Sequence, residues 1–299
     1  MTSALKRMVV TGKEGQVVQS LLERAKQQQM FEVIALGRPQ MDLSQPEGLF
    51  DAIASVQPDI IVSAAAYTAV DQAESDEESA QVVNGLAPGK LAEAAARLNV
   101  PIVHLSTDYV FDGSKSDPYL ETDTVAPLGA YGRSKLAGEQ AVAAATDNHA
   151  ILRTAWVYSP FGKNFLKTML KVAESRDELN VVDDQRGNPT SALDIADAVL
   201  QVAANLLDSD SRSQRGVFHM TASGEASWAD FAIEIFKQSQ ALNGPHAVVH
   251  RIPSSSYPTP AKRPANSRLN CTKLLDVHGV QLQDWRQSAA EIVARLIQQ

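Results

Sequence analysis

Short, continuously apolar runs alternate with longer amphipathic stretches through the first half of the chain. Met8-Val9-Val10-Thr11 ends at Gly12, Glu32-Val33-Ile34-Ala35-Leu36 ends at Gly37, and Ile60-Ile61-Val62-Ser63 opens the most apolar window. Ile102-Val103-His104-Leu105-Ser106 and Ala150-Ile151-Leu152-Arg153 repeat the pattern. Runs this short and this β-branched predict strands of a parallel sheet buried on both faces. The spacing between them predicts helices over 16–28, 43–56, 80–98 and 134–145, with Ser44 and Pro46 as start signals for the second. Strands that alternate with helices predict βαβ units, whose right-handed crossovers place helices on both faces of the sheet.

After about Trp156 the rhythm loosens. Helices are expected over 165–175, 192–207, 228–240 and 288–298, and strands over 180–182 and 217–220. The stretch 208–215 is polar and reads as a loop, and 257–264 carries three prolines and reads as irregular. Trp228 and Trp285 sit on amphipathic patterns and read as core. The expected class is α/β, a Rossmann-type doubly wound parallel sheet with a smaller, discontinuous C-terminal substrate-binding region. Residues 1–160 would form mainly the nucleotide-binding part, with segments returning around 180–220, and 161–299 mainly the substrate-binding part.

Charge and composition narrow the partners. Among 299 residues, 27 Lys and Arg against 35 Asp and Glu leave −8 at neutral pH. That surplus gives no general pull toward nucleic acid or an anionic membrane. The single cysteine, Cys271, excludes an internal disulfide framework and a multi-thiolate metal site, and fits a reducing compartment. The start of the chain has no long apolar stretch of a signal peptide, and the window 60–70 is far short of the ~20 residues that span a bilayer. A cytoplasmic location is expected, so Asn270-Cys271-Thr272 is read as a chance glycosylation tripeptide. His246 and His250 would lie about 13 Å apart on one strand face, too far to share a metal. The acidic run Asp71, Glu74, Asp76, Glu77 and Glu78 reads as a solvated face.

Three features carry chemistry. Gly12 and Gly15 follow the first strand, where a sharp turn lets a diphosphate approach the N–H groups of a helix N-terminus. The third place of that fingerprint holds Val18. At the end of the second strand, where an acidic residue would bind ribose hydroxyls, stands Gly37-Arg38. A guanidinium there can pair with a 2′-phosphate, which points to NADPH, with NADH as a second cofactor that could be accepted. Tyr131 and Lys135, four apart, share a helix face, and an ammonium there would lower the tyrosine pKa and suit it to proton transfer. Thr107, at the carboxyl end of the fourth strand, can donate to a developing alkoxide. Thr107, Tyr131 and Lys135 form a carbonyl-reduction set.

These residues resemble extended short-chain dehydrogenase/reductases, and within them the dTDP-4-dehydrorhamnose reductases. The likeness runs through 10–16, Asp42-Leu43, 64–74, 105–113, 131–139, 152–158, 186–190 and 262–267. It implies NADPH-dependent reduction of the C4 ketone of dTDP-4-dehydro-L-rhamnose, the last step to dTDP-L-rhamnose. It implies that Gly15, Gln16 and Val17 contact the diphosphate, that Asp42 and Leu43 flank the adenine, and that Ala64, Ala65, Ala66, Tyr67, Thr68 and Leu105 line the cofactor channel. Thr107, Asp108 and Trp156 would hold the deoxysugar, with Val70 and Tyr109 nearby and Arg263 helping with its anionic end. The partner is then a dTDP-sugar. Some relatives form metal-bridged dimers, so the resemblance implies a homodimer and Mg2+, without naming ligands in this sequence. Related dehydratases carry Asp-Glu after the active threonine; here Asp108 is followed by Tyr109, so the base for elimination is missing. Related epimerases share the Tyr-Lys pair but look less like the 64–74 run. Two alternatives stay open: a reductase of another keto-deoxysugar nucleotide, and a non-catalytic NADP-binding subunit resembling the regulatory subunit of methionine adenosyltransferase.

Overall fold

The computed structural model describes residues 5–298. Along the chain run β1 (Lys6–Thr11), α1 (Gln16–Gln28), β2 (Phe31–Leu36), α2 (Leu49–Ala54), β3 (Ile60–Ser63), α3 (Ala87–Leu98), β4 (Ile102–Thr107), α4 (Ala130–Ala145) and β5 (His149–Thr154). They continue with α5 (Phe165–Ala173), β6 (Glu178–Val182), α6 (Ala192–Asp208), β7 (Gly216–His219), α7 (Trp228–Ala241), β8 (Val248–Ile252) and α8 (Trp285–Ile297). Six strands form one parallel sheet in the order β7-β5-β4-β3-β1-β2. The chain leaves β1 for β2 on one side and returns to β3 on the other. That reversal opens a crevice beyond the carboxyl ends of β1 and β3, where such sheets bind ligands.

The strands are apolar throughout because both faces are covered. Met8, Val10, Ile60, Val62, Val103, Leu105 and Leu152 meet α1 and α6 in one core. Their neighbours Ile61, Ile102 and Ile151 point the other way, onto α2, α3 and Val142 of α4. A separate core joins α5, α7 and α8 to the two-stranded β6–β8 sheet through Leu166, Leu179, Val181, Phe231, Ile235 and Ile292. Trp285 is buried there, as expected.

Several expectations shift. The helix expected over 43–56 is shorter, because the Asp42 carboxylate accepts from the Ser44 N–H (2.9 Å) and hydroxyl (2.8 Å) and folds 42–45 into a turn. The helix over 80–98 starts at Glu77 and loosens into one wide turn over Val82–Leu86 before α3. Strand β6 pairs with β8; the segments that return to the main sheet are α6 and β7. A seven-residue helix over Thr272–His278 was not foreseen; it is too short for a periodic signal. No helix among the described residues is long and apolar enough to cross a membrane.

Candidate active site

The Thr11 hydroxyl accepts from the N–H groups of Ala64 (2.9 Å) and Ala65 (3.0 Å), tying the ends of β1 and β3 together at the crevice. Gly12 turns the chain with φ +97°, a conformation open to glycine, and Gly15 caps α1. Val18 packs under this turn, 3.5 Å from where a Gly12 Cβ would lie. The missing third glycine therefore changes the packing beneath the turn and leaves its open side clear. Beside the turn lies a cleft of about 580 Å³, lined by Gly12, Arg38, Asp42, Leu43, Ala65, Ala66 and Tyr67 among others.

Some expected cofactor residues sit beside this cleft. The Gln16 carboxamide oxygen accepts from Ser159 (2.8 Å) and Asn164 (2.9 Å), so its side chain fastens α1 to the 159–164 segment. Only its backbone is left to face a ligand. Thr68 is exposed and lies off the cleft wall. Lys13 was not singled out, yet it lines the cleft with Arg38, its ammonium on the Arg38 carbonyl (3.3 Å) and the Gln40 carboxamide (2.5 Å). Its place directly after Gly12 was the available signal.

Two elements bring the candidate chemical groups together. The end of β4 presents Thr107 and Asp108, and α4 presents Tyr131 and Lys135 one turn apart. The Thr107 hydroxyl lies beside the Tyr131 phenol, donates to Asp108 Oδ1 (2.9 Å) and accepts from the Tyr109 N–H (3.2 Å). The Lys135 ammonium is buried and donates to the Leu105 carbonyl at 2.6 Å. The Tyr109 ring stands edge-on to Tyr131, centroids 5.5 Å apart.

The electrostatics correct one expectation. Tyr131 is not lowered toward neutrality by Lys135. Burial and the Asp108 charge push it up to about 12, and the nearby Thr107 hydroxyl offsets only part of that. The ammonium is turned to the Leu105 carbonyl, and burial lowers Lys135 to about 8. Burial also raises Asp108 to about 6, against the bond from Thr107 and the nearby Ser267 hydroxyl, and its Oδ2 has no hydrogen-bond partner among the described residues.

The acidic run, read as a solvated face, instead clamps this site. Glu74 accepts the Ala130 N–H at 2.8 Å and so caps α4, Glu77 pairs with Arg133 of α4, and Asp76 accepts from the Tyr67 hydroxyl. Asn84, in the wide turn before α3, accepts the Tyr67 N–H (2.8 Å) and donates to the Tyr67 carbonyl and the Ser134 hydroxyl (3.0 Å each). A lone Asn inside an Ala-rich pattern gave no hint of this. Beneath the site, Arg153 grips Glu139 with two bonds (2.9 and 2.7 Å), and Ser106 adds a third to the same carboxylate.

On the far side of Asp108, Trp156 adopts φ +48° and stacks flat on Trp228, centroids 3.6 Å apart. Trp228 packs at the edge of the second core, as the sequence pattern predicts, and its outer ring face reaches Trp156. A groove of about 440 Å³ runs on from there, walled by Phe165, Met169, Val181, Trp228 and Tyr257, with Asn180, Gln185 and Arg263 as polar members. Arg263 is held by Asp71 through two bonds (3.1 and 2.8 Å), and Val70 opens the short helix that carries Asp71. His250 meets Glu178 at 3.1 Å, and His246 meets its own turn at the Gly244 carbonyl.

Comparison with known proteins agrees with this geometry. Residues 6–298 match the family model described as the RmlD substrate binding domain. A dTDP-4-dehydrorhamnose reductase of Sinorhizobium fredii is 52% identical over 97% of this chain and 98% of its own. One from Burkholderia thailandensis is 45% identical over 98% and 100%. Among solved structures, a dTDP-4-dehydrorhamnose reductase of Clostridium acetobutylicum superposes with TM-score 0.89 at 36% identity, covering 97% of this chain and 99% of that one. The Bacillus anthracis reductase in complex with NADP also gives 0.89, at 30% identity over 98% and 100%. The chain belongs to the dTDP-4-dehydrorhamnose reductase family, within the Rossmann-fold short-chain dehydrogenase/reductases.

Proposed function

We propose that this protein reduces the C4 ketone of dTDP-4-dehydro-L-rhamnose to the alcohol of dTDP-L-rhamnose, with NADPH as reductant. The observation that carries the reading is the Thr107–Tyr131 hydroxyl pair at the mouth of the crevice, with Lys135 one turn below. Reduced nicotinamide, when bound, supplies the hydride to C4. Tyr131 donates its phenolic proton to the ketone oxygen as that oxygen gains charge, and Thr107 bonds the same oxygen. Burial keeps Tyr131 protonated and ready to give at neutral pH. The substrate alkoxide is a much stronger base than a phenolate, so the transfer runs downhill. Lys135, bound to the Leu105 carbonyl, is placed to hold the ribose hydroxyls.

The remaining assignments follow from position. Backbone N–H groups of Gly15, Gln16 and Val17 at the start of α1 hold the diphosphate. Asp42 and Leu43 flank the adenine, and Ala64–Tyr67 with Leu105 line the channel. Lys13 and Arg38 together read the 2′-phosphate, which favours NADPH over NADH. Asp108, Tyr109, Val70 and Trp156 surround the deoxysugar, and Arg263 borders the path of its diphosphate. The sheet with its flanking helices would be the cofactor part, and the α5–α7–α8 core the sugar-nucleotide part. We take the protein to act in the cytoplasm, as a homodimer. A non-catalytic role leaves an intact proton-donating set without a use.

Incubation with the keto-sugar nucleotide and NADPH tests this. The reading expects NADPH oxidation matched one to one by dTDP-L-rhamnose. No oxidation above the blank from folded protein would overturn it. Other keto-deoxysugar nucleotides in the same assay rank the substrate. Arg38→Ala and Lys13→Ala should each weaken NADPH more than NADH; equal loss for both cofactors would show that neither reads the phosphate.

A further inference from the structure

We infer that Trp228 is a positioning residue for the sugar: it fixes the Trp156 indole so that only one face of that ring is open to the ligand. The inference rests on the reading that Trp156 contacts the deoxysugar. Trp156 is held from three sides. Its own backbone sits in the left-handed region at φ +48°, which a bulky side chain rarely adopts and which the surrounding structure must enforce. The Trp228 indole covers one of its faces, with an interplanar angle of 4°. Gly187 lies so close that a Cβ there would stand 2.5 Å from Cε2 and 2.6 Å from Nε1 of Trp156. The same absent Cβ would stand 2.8 Å from the Ser267 hydroxyl, which donates to the Arg186 carbonyl (3.3 Å) and lies near the Asp108 carboxyl. The contact chain therefore runs Trp228, Trp156, Gly187, Ser267, Asp108, Thr107 to Tyr131.

Trp228 is itself rigidly seated. It is the first residue of α7, which starts with a reciprocal Ser227–Asp230 capping box. Ser227 also bonds Asp183 (2.6 Å), and Arg251 bridges Asp183 and Asp230. Phe165 packs against the Trp228 ring at 4.7 Å. A capped, cross-linked helix start thus presents one flat indole to another. That arrangement removes rotamer freedom from Trp156 before the ligand arrives, which is how preorganisation adds affinity.

The test is a double-mutant cycle read by titration of dTDP-L-rhamnose into the NADP-bound enzyme, with steady-state KM and kcat alongside. Trp156→Ala tests the underlying reading. Trp228→Leu removes the flat support and keeps bulk, and Gly187→Ala pushes the indole from another side. Trp228→Leu should weaken dTDP-L-rhamnose and raise KM about fivefold to tenfold, the range of one aromatic pair, with NADPH affinity and kcat near wild type. In the Trp156→Ala background the same change should add nothing. Trp228→Phe should restore most of the loss. The near-ultraviolet circular dichroism of the stacked pair should vanish in Trp228→Leu and persist in Trp285→Phe, the third tryptophan serving as control. If Trp156→Ala weakens the sugar nucleotide and neither Trp228→Leu nor Gly187→Ala does, the inference is wrong and the reading of Trp156 stands. An equal Trp228→Leu loss with Trp156 already removed also overturns it, since Trp228 would then act by itself. If Trp156→Ala has no effect, the reading of Trp156 fails and the inference falls with it.

Discussion

Burial sets the chemistry of the individual groups more than their charged neighbours do. Lys135 drops from 10.5 to about 8 because its ammonium is buried, roughly 3 kcal/mol against the charged form. Lys135→Met should therefore abolish turnover yet stabilise the fold at pH 7, by about 2 kcal/mol after the lost hydrogen bond to Leu105. An unfolded lysine keeps its proton to about pH 10.5, while the folded one releases it near 8. Wild-type stability should thus rise with pH across that window, and the variant's advantage should shrink there in denaturant titrations. Asp108 works the other way: its charge opposes the Tyr131 phenolate. Asp108→Asn should move the Tyr131 titration, read as phenolate absorbance against a Tyr131→Phe blank, to lower pH. An unmoved titration would leave burial as the sole cause. Sequence spacing was enough to pair Tyr131 with Lys135 and to bring in Thr107, because helix and strand periods fix which side chains share an end of the sheet. It could not foresee the direction of the Tyr131 shift, which depends on where the ammonium points and on a carboxyl that faces the phenol.

The helix that carries Tyr131 is only as well placed as its fastenings. Glu74 caps it from a distant segment, and the Glu139–Arg153 pair, with both side chains 5% exposed, locks its far turns to β5. Arg153→Met leaves a buried carboxylate without its partner and should cost about 3–5 kcal/mol by chemical denaturation. Adding Glu139→Leu should return most of that loss, because removal of both charges also removes their desolvation cost. The buried strands were readable because a sheet covered on both sides needs apolar residues at every position. The fastenings were not, because a Glu that caps a helix 56 residues away looks in sequence like any surface Glu. The same limit hid the contacts of Asn84 and Trp228, whose partners are close only after folding.

Two cores flank one crevice, and α6 belongs to both, giving Leu193 to one and Ile195 and Val199 to the other. Gln16 links α1 to the 159–164 segment, and Arg295 of α8 grips Glu23 of α1 with two bonds (2.8 and 2.9 Å). Ligand that spans the crevice should add to this coupling. NADPH at a hundredfold excess over its Kd should add about 2.7 kcal/mol of stability and raise Tm by several degrees, and a flat thermal-shift titration would contradict specific binding. The net charge of −8 excludes broad attraction to polyanions, yet the proposed ligands are anionic. Their seats are local: a helix N-terminus and the Lys13–Arg38 corner, set in a surface that is acidic elsewhere. The parallel sheet, its glycine turn and the grouping of Thr107, Tyr131 and Lys135 could be read from pattern alone. The second core, assembled from segments that the chain visits out of order, could be read only in outline. The claim that joins these levels is that Tyr131 gives the proton to the ketone oxygen. Its most direct measurement is turnover of the keto-sugar nucleotide by Tyr131→Phe, beside its NADPH Kd. Turnover should fall by about a hundredfold to ten-thousandfold with NADPH binding unchanged; turnover at the wild-type rate would contradict the claim.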